Sequence, residues 1–120
     1  MEKIKIAVLV SGSGSNLQSM MDAVKTGAVP SAEIAIVISN KESAYALTRA
    51  QQANIPHLFL DPKAYRTRED FFAQVIYELE EIRADMICLA GFLLKLEPNI
   101  IRKFKGRILN IHPALLPKYG

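Results

Sequence analysis

The stretch KIKIAVLVSGSGSNLQSMMDAVKTG, Lys3–Gly27, carries three successive patterns. Lys3–Val10 alternates at first and then becomes wholly apolar, the mark of a strand covered on both faces. Ser11–Asn16, SGSGSN, places two glycines where the chain must turn tightly. Leu17, Met20, Met21 and Val24 then recur at helical spacing, and Gly27 suits the position just past a helix end. A buried strand that runs through a tight loop into a helix is the opening unit of an α/β fold.

The unit repeats along the chain. Glu33–Ser39, EIAIVIS, reads as a second buried strand, NKES as a loop, and Tyr45–Ala53 as a helix. Pro56–Asp61 reads as a short third strand. TRED, Thr67–Asp70, resembles a capping box with Asp as its acid, and Phe71, Phe72, Val75, Ile76, Leu79 and Ile82 line one face of the helix it opens. Asp85–Phe92 predicts a fourth strand, Pro98 to about Phe104 a short helix, and Arg107–Ile111 a fifth strand. Apolar strands alternating with helices predict a Rossmann-like, mainly parallel sheet with helices on both faces, joined by right-handed crossovers. Ligands gather beyond the carboxyl ends of such strands. SGSGSN, GFLLKL and NIHP all follow strand ends, and they converge if the first, fourth and fifth strands are neighbours.

The totals narrow the class. A chain of 120 residues, half of them hydrophobic, suits one domain with one core. A net charge of +3 accommodates anionic ligands and falls short of a nucleic-acid-binding signature. The lone Cys88 lies within the apolar run MICLAGF and reads as a buried strand residue, which fits a reducing compartment. The N-terminus lacks the pattern of a signal peptide, and no apolar run approaches the ~20 residues that span a bilayer. The chain therefore reads as soluble and cytoplasmic, with no nucleic-acid or membrane partner.

Three segments could carry chemistry. In SGSGSN, Gly12 and Gly14 permit close approach of backbone to a ligand, and Ser13, Ser15 and Asn16 add donors at a helix N-terminus, an arrangement suited to phosphate. The same residues also suit an ordinary Gly/Ser turn capped by Asn or Ser. The dinucleotide fingerprint would require glycine where Leu17 stands, and no G-K-[ST] ending marks a P-loop. In NIHP, Asn110 and His112 lie two apart and point the same way on an extended chain, with Ile111 facing the other side. An amide beside an imidazole can hold a carbonyl oxygen and manage a proton, or the His can serve packing at a strand end. His57, in IPHLFL, starts a strand away from the ligand edge and reads as structural. Pro113 and Pro117 stiffen the final loop, where Lys118 could attract an anion. No Cys/His cluster has metal-ligand spacing.

VLVSGSGSNLQ, ISNK, LAGFLLKL and ILNIHPALLPKYG, in this order, resemble the phosphoribosylglycinamide formyltransferases over the whole chain. Methionyl-tRNA formyltransferases and formyltetrahydrofolate deformylases share the strand-end His and differ in the first loop. The resemblance implies transfer of a formyl group from 10-formyltetrahydrofolate, a co-substrate, to the amine of glycinamide ribonucleotide, without a metal. It implies that Gly14, Ser15 and Asn16, with Ser13 beside them, hold the ribonucleotide phosphate. Asn110 would bind the formyl oxygen and His112 would stabilise the tetrahedral intermediate and move protons. Phe92, Leu93, Leu94, Lys95 and Leu96 would line the folate pocket, Arg68 would approach the folate, and Arg107 resembles a basic position that could meet its glutamate tail.

Two departures accompany the resemblance. Leu94 stands where the family pattern has a basic residue, and Lys95 comes one later. The family's third catalytic group, an Asp downstream of the His, has no counterpart before Gly120. The expectation is a single formyltransferase N-terminal domain over 1–120, truncated before that Asp, with an incomplete sheet whose exposed edge favours self-association. The rival reading is a non-catalytic phosphate- or nucleotide-binding fragment or half-domain without turnover, and a lesser one is another formyltetrahydrofolate-using enzyme, a deformylase or a methionyl-tRNA formyltransferase.

Overall fold

The computed structural model describes residues 3–27 and 31–111. Five strands, β1 (Ile4–Val10), β2 (Ala32–Ser39), β3 (His57–Phe59), β4 (Met86–Ala90) and β5 (Ile108–Ile111), alternate with four helices, α1 (Ser15–Lys25), α2 (Tyr45–Gln52), α3 (Arg68–Glu81) and α4 (Pro98–Lys103). The strands form one sheet in the order β3-β2-β1-β4-β5, and every pairing is parallel. The first, fourth and fifth strands are neighbours, as the converging segments require. No helix among the described residues is long and apolar enough to cross a membrane.

The core divides at the sheet. On one face Val8 and Val10 meet Leu17 and Met21 of α1 and Ala46 and Ala50 of α2. On the other, Ala7 and Leu9 meet Phe71, Phe72, Val75 and Leu79 of α3 and Ile100 of α4. Alternate residues of β1 thus serve opposite clusters, which explains its unbroken apolar run.

β2 achieves the same result with a slip. Ile6 pairs with Ile34 but Ala7 pairs with Ile36, leaving Ala35 unmatched. Ala32 and Ile34 face α1 and α2, whereas Ile36 and Ile38 face α3 and α4. One extra residue reverses the side-chain alternation, so the spaced isoleucines of EIAIVIS feed both cores.

Element ends differ from the sequence expectation where local bonds intervene. The third strand is shorter than Pro56–Asp61, because Asp61 accepts from the Lys63 N–H at 2.9 Å and caps a 3₁₀ turn at Pro62–Ala64. The fourth stops at Ala90 rather than Phe92, because Gly91 takes φ 72°, outside the strand region. Thr67 accepts from the Asp70 N–H at 3.0 Å, the forward half of the capping box. Tyr65, Phe71, Phe72 and Phe92 form an edge-to-face series with centroid separations of 5.8, 5.0 and 6.3 Å, linking α3 to the segment after β4.

Phe72 is fully buried at the middle of that series. Phe72→Ala is expected to destabilise the fold by about 3–5 kcal/mol, measured by urea denaturation. Thr67→Ala, which removes only the cap bond, is expected to cost about 1 kcal/mol in the same assay.

Candidate active site

The chain runs outward from β1 to β2 and β3, then returns to β4 and β5 on the other side of β1. The crevice beyond the carboxyl ends of β1 and β4 lies where the strand order reverses, the usual ligand position in such sheets. The glycine/serine loop and the Gly91–Leu96 segment flank it.

The loop enters α1 through Gly14, which takes φ 80° at the N-cap position and provides no side-chain cap. Ser15 and Asn16 are therefore the first helical residues, not caps. Their N–H groups are among those an α-helix leaves unpaired at its start, and the first turn contains no acidic residue. Gly14 is buried while Ser13 and Ser15 are exposed.

The loop's shape is imposed by α2. A Cβ at Gly14 would lie 2.7 Å from the Cβ and 2.8 Å from the Cα of Ala46. The Ala46 N–H donates to the Gly12 carbonyl at 3.3 Å. Arg49 donates from Nε to the Ser13 carbonyl at 2.8 Å and from Nη1 to Gln18 at 3.1 Å, with its guanidinium over the Tyr45 ring.

Across the crevice, Phe92, Leu94 and Leu96 pack on the α3–α4 core, whereas Leu93 is 75% exposed and Lys95 is exposed. Only part of the predicted folate-lining segment is thus free to meet a ligand. A cavity of about 420 Å³ brings Leu93 and Leu94 together with Arg68, Asn40, Lys41 and Phe59. Arg68 opens α3, and its guanidinium group belongs to an exposed residue.

Asn110 lies opposite Leu89 on β5 and is exposed. Ile111 packs on the α1–α2 cluster and Ile108 on the opposite one. Alternation therefore puts Asn110 on the α3–α4 side, with Phe92 and Leu94. His112, Pro113, Pro117, Lys118 and Gly120 lie outside the described residues.

Arg107 does not join this group. It sits at the amino end of β5, donating to the carbonyls of Asp85 at 3.1 Å and Lys103 at 3.0 Å and stacking over Phe104. These contacts hold it at the end of the sheet opposite the crevice, away from the folate tail that the resemblance had it meet. His57 is exposed, with Nδ1 3.0 Å from the Ile55 carbonyl, also remote from the crevice. Burial pushes the Cys88 thiol pKa up, so it stays protonated at neutral pH and is a poor nucleophile. Among the described residues, no group of three or more His, Cys, Asp or Glu is arranged to hold a metal.

Sequence reasoning missed Ser11, Asn40, Ala46 and Arg49. A polar residue directly after a buried strand could have flagged Ser11 and Asn40. Nothing local marks Ala46 or Arg49, whose roles arise only when α2 docks on the loop.

The sequence signature described as formyl transferase matches residues 4–120. The chain is 47% identical over 116 residues to phosphoribosylglycinamide formyltransferase of Haemophilus influenzae, covering 97% of this chain and 54% of that protein. It is 48% identical over 118 residues to the trifunctional purine biosynthetic protein adenosine-3 of Chironomus tentans, covering 98% of this chain and 9% of that protein. It superimposes on glycinamide ribonucleotide transformylase 1 from Symbiobacterium toebii with a TM-score of 0.89 and 41% identity, covering 98% of this chain and 55% of that one. The chain thus spans about half the length of the Haemophilus relative and a small part of the Chironomus one.

The Gly14–Ala46 contact predicts a double-mutant result. Gly14→Ala is expected to cost about 2 kcal/mol or more, from the left-handed backbone and the clash. Ala46→Gly costs about 1 kcal/mol through helix propensity. The double variant is expected to be less destabilised than the sum of the two by about 1 kcal/mol, read from denaturation midpoints.

Proposed function

The chain belongs to the formyl transferase family, and from that premise we propose that it transfers the formyl group of 10-formyltetrahydrofolate to the primary amine of glycinamide ribonucleotide, in purine biosynthesis. The observation that carries the reading is the pairing, across one crevice, of a backbone-lined helix entrance with the cavity bordered by Arg68, Leu93 and Leu94. The first suits a phosphate. The second offers the apolar surface of Phe59, Leu93 and Leu94 with Arg68, Lys41 and Lys63 beside Glu42 and Asp61, a lining that suits a flat ring system carrying polar groups.

In this reading, Gly14, Ser15 and Asn16, with Ser13, hold the ribonucleotide phosphate. Arg68 and the exposed parts of the Phe92–Leu96 segment hold the folate. Leu93 and Lys95 can offer side chains, while Phe92, Leu94 and Leu96 contribute mainly backbone groups and a fixed apolar wall.

The amine lone pair attacks the formyl carbon and the carbonyl pair moves onto oxygen. Asn110 donates a hydrogen bond to that developing oxyanion. The bond from carbon to the folate nitrogen then breaks. The amine gives up one proton and the departing nitrogen gains one, with His112 managing the exchange. Holding both substrates in one crevice supplies the orientation that makes attack effectively unimolecular.

Mixing the protein with both substrates and following tetrahydrofolate release tests this reading. Asn110→Ala is expected to lower kcat by roughly 10²–10³-fold, the scale for loss of one oxyanion donor. His112→Ala is expected to lower it by roughly 10²–10⁴-fold. No transfer by the intact protein, or no effect of His112→Ala, refutes the reading. Ribonucleotide binding without transfer by the 120 residues alone would favour the half-domain alternative for them. Self-association through β5, an edge strand among the described residues whose Leu109 is 51% exposed, belongs to the same proposal. Light scattering is expected to show oligomers of the 120-residue chain, and a clean monomer with a cooperative thermal transition counts against it.

A further inference from the structure

Ser11 directly follows the central strand β1 and is 2% exposed. Its hydroxyl donates to Asn40 Oδ1 at 2.6 Å and accepts from the Leu93 N–H at 2.9 Å. Its own N–H donates to the Gly91 carbonyl at 3.2 Å. One residue thereby ties three segments at the carboxyl edge: the glycine/serine loop that begins at Gly12, the end of β2, and the segment after β4. Asn40 and Leu93 both border the cavity that also contains Arg68.

We propose that Ser11 is a positioning residue that couples the phosphate loop to the cavity beside β4, so that an anion held by the loop orders the Leu93 segment. The proposal rests on the phosphate role of the loop given above. A serine hydroxyl has one donor and two acceptor sites. Here its donor is directed at β2 and one acceptor site at the β4 segment, while its backbone continues into the phosphate loop. Movement of the loop that carries Ser11 with it moves or breaks both bonds. A water entering the space left by Ser11→Ala could bridge Asn40 and Leu93, but it would lack the covalent connection to the loop. The hydroxyl thus supplies a linkage that its hydrogen bonds alone would not.

Amide hydrogen exchange of the intact protein tests this, with inorganic phosphate as the probe. In the unaltered protein, phosphate is expected to slow exchange of the Leu93 amide by about fivefold or more, the lower range of coupling between sites. In Ser11→Ala that phosphate-dependent change is expected to vanish, whatever the basal exchange rate. Asn40→Ala keeps the Ser11–Leu93 bond but leaves the hydroxyl without its acceptor, and is expected to weaken the change without abolishing it. A cooperative thermal transition identifies variants that remain folded. Absence of the effect in the unaltered protein overturns the proposal, and so does full retention in folded Ser11→Ala. If Ser11→Ala does not fold, retention of the full effect in Asn40→Ala overturns it and a weakened effect supports it. Failure of the formyl-transfer reading would appear separately, as coupling without tetrahydrofolate release.

Discussion

β1 has neighbours on every side. β2 and β4 bond to its two edges, and its alternating side chains enter the two halves of the core. Val8 and Leu9 are fully buried, so no solvated face tolerates a shift in register. Both walls of the crevice begin from this strand or from the one beside it. Their positions follow from the pairing of β1 with β4, set by Ile6 opposite Met86 through Leu9 opposite Leu89.

The crevice is rigid on one wall for reasons located elsewhere. Gly14 and Ala46 are in close contact, Arg49 holds the Ser13 carbonyl, and the Ala46 N–H meets the Gly12 carbonyl. The opposite wall is braced by the aromatic series through Phe72 and Phe92. A ligand at the glycine/serine loop would meet backbone groups already oriented, which lowers the ordering cost of binding.

Much of the architecture was legible because burial on both faces leaves a strong pattern. Apolar strands and helical periods gave the alternation, and the parallel sheet followed from it. Strand ends were less legible: Gly91 and Asp61 stop their strands through backbone angle and a capping bond, signals of one or two residues. The slip at Ala35 was hidden, because an apolar run reads the same in either register. For the candidate site, Gly14 and Asn110 stood out as motif residues at a helix start and a strand end, whereas Arg68 entered only through the family resemblance. Arg107 entered only through the resemblance, and it precedes β5 at the amino end of the parallel sheet, where the Asp85 and Lys103 carbonyls hold it. Ser11 and Arg49 depend on contacts spanning 82 and 36 positions, beyond the reach of local patterns.

The contact between Gly14 and Ala46 gives residue 46 the part of a spacer gauge. It lies in the first turn of α2 and has no side-chain atom beyond a methyl group, yet its size limits how closely the glycine/serine loop can settle against α2. A bulkier side chain would lift the loop, and a missing methyl group would let it sink. The shape of the glycine/serine loop is therefore adjustable from α2.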